Sequence, residues 1–348
     1  MKIFSMRKTT ITKVAVIALL GFALHGCKKP SNGIDNNQVI VTPYTLFVAD
    51  SSGVIYNTND GINYKNLAFG ADGSLTRALC TSGNNLLMLK AGAYVRVGNN
   101  INFNPIGAAI NPSAFSQSMI LDVPSFRRIY LAGALSTTGV AYSDSNGKEG
   151  TWMPDNDTHL TSTITSYTQL QNGTVVGYSD VNKQTFTVTS TSARWNAVTQ
   201  GTILPASGNF FISHLQNMLV AADWTGANGV WYSTNMGADW TAFTGVPNIP
   251  IVSMCPAFDQ SLLVGTYGGG VYRLTANSTN LNVANSGLGS NLKVMGITTK
   301  YNVYKNGSIK QYVFLATNEG IYKSEDLGLT WVLIKSLSLP EINFVAIY

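Results

Sequence analysis

Charge is scarce in this chain. Asp, Glu, Lys and Arg make up 11% of its 348 residues, about half the usual globular share. The formal net charge of +5 overstates even that: residues 1–26 hold four of the 22 basic residues (Lys2, Arg7, Lys8, Lys13) and no acid, which leaves 18 against 17, or +1, for the remainder. A nucleic-acid-binding role, which needs a concentrated basic surface, loses its support. Three histidines and three cysteines carry no zinc spacing and no Ser/His/Asp grouping. The glycine run 268–270 lacks the Lys-Ser/Thr of a phosphate loop. No metal and no cofactor is expected. The 3.6-residue periodicity of amphipathic helices is missing as well. Disorder is excluded from the other side, because 45% of the residues are hydrophobic.

What is present begins with an address. Residues 1–13 form a positive leader, and residues 14–24 (VAVIALLGFAL) are an 11-residue apolar run. As a helix that run is about 16 Å long, too short for a hydrocarbon core of about 30 Å, and it reads as the core of a secretory signal. It ends in Leu24-His25-Gly26-Cys27, which resembles the lipobox of bacterial lipoproteins. The resemblance implies cleavage before Cys27 and acylation of that residue, which anchors a protein firmly. Lys28 follows where an Asp would signal inner-membrane retention, so the outer membrane of a Gram-negative envelope is expected, in either leaflet. Residues 1–26 are thus the signal peptide and 27–44 the lipidated Cys and a polar tether. Cys80 and Cys255 occupy matching places in repeated strands and are expected as free buried thiols.

Imperfect repeats fill residues 45–348. The unit is an apolar strand, a polar loop, a Gly-aliphatic-x-Tyr strand, a tight turn and an aromatic-led strand. Its clearest copies start at Leu46 (LFVADSSGVIYNTNDGINYKNL), Met218 and Val313 (VFLATNEGIYKSEDLGLTWVLI). Markers at Gly53, Gly92, Gly139, Lys183, Gly229, Gly270 and Gly320 are 39, 47, 44, 46, 41 and 50 residues apart. Short β-branched and aromatic strands at this period predict an all-β fold, a seven-bladed β-propeller of four-stranded antiparallel blades. Each unit is preceded by an inner strand, as at 77–81, 120–123, 251–255 and 295–299, except the first. The last eight residues, 341–348, are a spare strand, predicted to join the first blade and close the ring.

The tight turns carry a motif. Ser324-Glu325-Asp326-Leu327-Gly328-Leu329-Thr330-Trp331 fits S-x-D-x-G-x-T-W throughout; the stretch from Ser233 keeps Ser233, Gly237 and Trp240 with Asn235 for Asp; 57–64 is softer, with Asn59, Gly61 and Tyr64; and 143–152 has the same content with two extra residues. Short side-chain oxygens accept from turn amides, glycine allows positive φ, and the ring packs between blades. These residues resemble the Asp-box, or BNR, repeat of a group of β-propellers that includes sialidases, some endoglucanases, the sortilin ectodomain and a photosystem II assembly factor. The resemblance implies fold more than activity, and a structural role for the boxes, a calcium site at Asp326 being the alternative.

A sialidase of that group clamps its substrate with three arginines. The six after the leader (Arg77, Arg96, Arg127, Arg128, Arg194, Arg273) include only Arg77 at the start of an inner strand, so the clamp cannot be assembled. Loops between the second and third strands of the blades offer Asp50, Lys90, Asp180, Asp223 with Trp224, Tyr267 and Glu319, and Glu341 heads the closing strand. Trp224 and Tyr267 suit stacking on a sugar ring or a place in the seam between blades. Two acids such as Glu319 and Glu341 would serve a glycoside hydrolase if about 5–9 Å apart; otherwise they are solvated loop carboxylates. His214 faces either the channel or the core, and Asp155–His159 reads as a polar loop. The leading expectation is a monomeric envelope lipoprotein that binds a glycan or another envelope protein without catalysis, on ligand-binding candidates Asp50, Arg77, Asp223, Trp224, Tyr267, Glu319 and Glu341; a glycoside hydrolase is the alternative.

Overall fold

The structure is a computed structural model, and it describes residues 45–59, 61–67, 76, 78–90, 93–97, 102–106, 119–132, 139–246, 248–276, 278, 280–336 and 342–347. Cys27, Arg77 and Glu341 lie outside the described residues. Thr42–Asn302 with Lys310–Tyr348 forms one compact unit. Of the other unit the described part is the hairpin tip Val303–Ile309, turned by Tyr304 N–H donating to Ser308 O (2.9 Å) and Gly307 N–H to Tyr304 O (2.8 Å).

The described strands make seven four-stranded antiparallel sheets, the blades of a β-propeller. Six use four strands consecutive in sequence. The remaining one, blade 1, takes its innermost strand from the C-terminus: Ile342–Ile347 pairs with Leu46–Asp50 in the register Leu46↔Ile347 to Ala49↔Phe344. Joining the chain ends in one sheet removes the free radial edge, as the spare strand led one to expect. The inner strands are Ala78–Ser82 in blade 2, Ile120–Val123 in blade 3, Ser166–Gln169 in blade 4, Phe210–Leu215 in blade 5, Ile251–Pro256 in blade 6 and Val294–Val303 in blade 7. The last runs well past the expected Thr299 because it enters a long hairpin.

The core sits between the blades. Leu46 and Val48 pack with Tyr312, Phe314 and Ala316 of blade 7, while Phe47 and Ala49 pack with Leu79, Leu86 and Met88 of blade 2. Alternate side chains of one strand thus fill two seams, which is why all five residues of Leu46–Asp50 are buried. Further clusters cover blades 2 to 4, 4 to 5, 5 to 6 and 6 to 7.

The tight turns between third and fourth strands set the outer aromatics. Ser324 Oγ accepts from Gly328 N–H (2.9 Å) and donates to Asp326 Oδ1 (2.7 Å); Asp326 accepts from Thr330 N–H (2.8 Å) and from Thr330 Oγ1 on its other oxygen (2.5 Å). Gly328 has φ +83°, open to glycine at no steric cost. The turn then delivers Trp331 into blade 6, where Nε1–H donates to Ala284 O (2.8 Å). Ser233, Asn235 and Gly237 repeat the pattern, and Trp240 is buried in the seam of blades 4 and 5. In blade 1 the motif is displaced by one residue. Register sets Thr58 opposite Leu46 as it sets Ser324 opposite Val313, so Thr58 Oγ1, not Asn57, accepts from Gly61 N–H (3.0 Å). Asn59 accepts from Thr45 Oγ1 instead, and Tyr64 packs into the seam of blades 7 and 1. Cys80 and Cys255 are free thiols, half-buried and packed against the seam clusters of blades 2 to 4 and 6 to 7.

Because the seams carry the core, a seam deletion should cost as much as any core cavity. Phe314→Ala, at a fully buried position between blades 7 and 1, is expected to lower unfolding stability by about 3–5 kcal/mol, measurable by urea titration. An effect below about 1 kcal/mol would argue against this assignment of the core.

Candidate functional site: loop rim and central channel

One end of the propeller is built by loops between second and third strands and by the entries of the inner strands. Trp224 N–H donates to Asn209 O (2.8 Å) and Tyr267 N–H to Pro250 O (2.9 Å), so each loop is tied to the start of its own blade's inner strand. The carboxylates here are largely consumed by the turns. Asp223 is fully buried and accepts from the N–H groups of Asn209, Thr225 and Asn228, from Thr225 Oγ1 and from Asn228 Nδ2, all at 2.8–3.0 Å. Burial alone would raise its pKa, but these bonds outweigh burial and hold it below the usual carboxylate value. Asp50, also fully buried, accepts on Oδ1 from Ser52 N–H, Ser52 Oγ and Val54 N–H. Asp180 bridges blades 4 and 5: Oδ1 receives Lys183 Nζ (2.7 Å) and Phe210 N–H (2.8 Å), while Lys183 Nζ also donates to Gly208 O (2.6 Å). Lys90 is buried and donates to Gly53 O of blade 1 (3.1 Å). Glu319 is half-buried and accepts from Tyr322 Oη (2.6 Å).

Tyr267 differs from these in being open, with 41% of its surface exposed. Lys293, at the entry of blade 7, places Nζ 4.5 Å from the Tyr267 ring centroid and 3.1 Å from its hydroxyl. Trp224 is half-buried. Lys293 is not among the candidates drawn from the sequence, although it stands immediately before an inner strand as Arg77 and Glu341 do, and only its contact with Tyr267 marks it out.

The second feature is the channel. A cavity of about 440 Å³ lies between the inner strands of blades 3 to 6, with Ile120, Leu121, Tyr167, Phe211, Ile212 and Met254 among its walls. Its polar lining includes Thr168 and His214, whose Oγ1 and Nδ1 are 2.7 Å apart across neighbouring blades. Burial depresses the His214 pKa to about 4, so the ring is neutral at physiological pH. Asp122, in the matching position of blade 3, has its pKa raised by burial, against a hydrogen bond from Ser82. The neighbouring thiols are raised too, Cys80 to about 12 and Cys255 to about 11, chiefly by burial, and are poor nucleophiles. His214 is channel-facing, since it lines the cavity between the inner strands. Asp155 and Asp157 prove to be ties: they receive Trp195 Nε1–H (2.9 Å) and N–H (2.8 Å), and His159 Nδ1 is 2.7 Å from Asp157 Oδ1.

The fold and site define the class: a seven-bladed β-propeller with a largely apolar cavity between its inner strands. No protein-family model matches the chain, and no curated protein is similar to it. Solved structures are. A streptogramin B lyase is 13% identical, covers 82% of this chain and 95% of its own, and has a TM-score of 0.53. An ancestral GH74 enzyme (16% identity, TM-score 0.52) covers 75% of this chain and 38% of its own, and the extracellular domain of a putative one component system from B. thetaiotaomicron (12%, 0.50) covers 87% and 48%. This chain therefore spans about two fifths and one half of those two proteins. At such identities the likeness is one of fold alone.

His214 gives the site a pH signature. Its folded pKa lies below the ordinary 6.5, so the stability linked to the neutral ring is complete above about pH 6.5 and lost as pH falls towards 4. Asp122, shifted upwards, acts in the opposite sense. His214→Gln is expected to flatten the decline in Tm between pH 6.5 and 4; melting curves superimposable on the wild-type pH profile would remove His214 as the cause.

Proposed function

We propose that the chain is a lipid-anchored protein of the cell envelope that binds a glycan or a protein partner through its propeller loops and does not turn it over. The observation that carries this reading is the state of the loop carboxylates. Hydrolysis of a glycoside needs two acids facing a shared space, one of them with a raised pKa. Here Asp223 is saturated by five turn bonds, Asp180 is paired with Lys183, and Glu319 is engaged by Tyr322. Asp223 and Asp180 cannot donate or take a proton without dismantling their own loops, while the half-buried Glu319 already accepts from Tyr322. What the rim offers outward is an exposed Tyr267 under Lys293 and a half-buried Trp224, surfaces suited to holding rather than cleaving. The anchor is the thioether-linked lipid at Cys27, in line with the lipobox-like Leu24–Cys27, and its expected site is the outer membrane.

The test is a thermal-shift screen of the protein against polysaccharides and sialylated glycans, each mixture also assayed for released sugar. Stabilisation without release is expected, with affinity reduced about tenfold in Trp224→Ala. Sugar release would overturn the non-catalytic reading, and silence across the panel would leave the protein partner. Separately, Cys27→Ala should move the chain from the membrane to the soluble fraction on cell fractionation; unchanged membrane retention would refute the anchor.

A further inference from the structure

The opposite end of the channel, where first and second strands turn into one another, is built differently from the loop rim. A recess of about 250 Å³ opens there and shares His214 and Pro256 with the larger cavity above it. At its edge stand two exposed aromatic rings, Phe258 (54% exposed) and Tyr301 (50%), with centroids 5.3 Å apart and planes tilted by 34°. Phe258 is held in place from blade 7, its N–H donating to Gln311 Oε1 (2.9 Å). Gln216 Nε2–H donates to Gln260 Oε1 (2.6 Å) across blades 5 and 6, which leaves the Gln216 carbonyl and the Gln260 amide protons for a ligand. Gln171 completes this amide set on blade 4.

Local folding does not ask for glutamine here. Gln216 and Gln260 have φ of 57° and 63°, the left-handed region, which costs a side-chain-bearing residue roughly 1–2 kcal/mol. The corresponding turn of blade 4 closes with the same backbone bonds but puts Gly173 (φ 88°) where blade 6 holds Gln260. Arg127 (φ 52°) takes the same place in the turn of blade 3, so a side chain is tolerated there, and in blades 5 and 6 that side chain is a glutamine lining the recess.

We propose that this recess binds an uncharged saccharide, seated with the C–H face of a sugar ring on Phe258 and Tyr301 and its hydroxyls on the glutamine amides. The lining decides the class. No Asp, Glu, Lys or Arg is among its residues, so a charged ligand would be desolvated without a partner, while a hydrocarbon would leave the amides unpaired. A sugar ring has both an apolar face and a dense set of hydroxyls. A folded protein partner needs about 800 Å² of surface on each side, whereas this site is a recess of the size of one or two sugar units. The site goes beyond the binding reading given above, since it lies at the other end of the channel from Trp224 and Tyr267.

The test is calorimetric titration of the purified full-length chain with neutral cello-, xylo-, manno- and malto-oligosaccharides and, for contrast, oligogalacturonate. At least one neutral series is expected to bind, about tenfold or more weaker in Phe258→Ala and Gln260→Gly and unchanged in Val332→Ala, on the exposed outer strand of blade 7, with Trp224→Ala titrated alongside to separate the loop rim from the recess. Gln260→Gly relieves backbone strain, so its Tm should hold or rise, and weaker binding in that variant cannot be ascribed to unfolding. Failure of every neutral series, preference for the acidic one, or affinity unaltered in both variants would overturn the proposal. Binding that depends on Trp224 and ignores Phe258 would overturn it too, yet leave the general binding role intact. Release of sugar would instead count against the non-catalytic reading while the variants still locate the site.

Discussion

The seam between adjacent blades is the constraint on which this structure rests. The second strands are buried on both faces over most of their length, with alternate residues feeding opposite seams, as Leu46 and Val48 do on one side and Phe47 and Ala49 on the other. A fully buried Leu, Val or Phe contributes about 1.5–3 kcal/mol, and no blade can collect that alone. A single blade would expose both faces. Hence the ring must close, and the strand Ile342–Ile347 closes it by pairing with Leu46–Asp50. The outer aromatics serve the same end, since Trp331 is bonded to Ala284 of the preceding blade.

Burial on both faces leaves the polar backbone at blade ends to be satisfied by a few short side chains. Asp50, Asp180 and Asp223 take up this work at one end, together with Thr266 and Thr317, whose hydroxyls donate to Gly270 O and Gly320 O in the same phase of blades 6 and 7. A carboxylate so employed gains several charge-assisted bonds and loses its freedom to act on a ligand. The surfaces left exposed are therefore aromatic and amide side chains: Tyr267 beside Lys293 at one end, Phe258, Tyr301 and the glutamines at the other. Between them runs a channel whose histidine is kept neutral by burial. Such a surface is suited to recognising uncharged or weakly polar groups.

Several elements could be read from residues alone. The blade unit was visible because its hairpins are local: a strand, its turn and its partner lie within about twenty residues, and Ser324–Trp331 shows turn chemistry in a row. The closing strand was visible as a remainder at the end of the count. Blade 1's turn was misplaced by one residue, because Asn57 and Thr58 are both plausible caps and only the pairing of Thr58 with Leu46 separates them. Cys80 and Cys255 do occupy the same phase, opposite Leu87 and Leu263, but how far each is buried depends on the neighbouring blades packed against it.

What the sequence by itself determined, then, is the repeat, its strand content and the number of blades, since these follow from the local order of apolar, turn and aromatic residues. Which side chains face a ligand was decided by tertiary structure alone. In a strand such as Leu46–Asp50 both faces are buried, so the alternation that marks an inside and an outside in an ordinary sheet is erased. Asp223 and Glu319 look alike in sequence, as acids in equivalent loops, yet one is sealed by five hydrogen bonds and the other is half-open beside Tyr322. His214 could have faced either way until the neighbouring blades packed around its strand and left its ring on the cavity. The physical reason is the same in each case: local chemistry sets how a blade folds, and the neighbour across the seam sets what that blade leaves exposed.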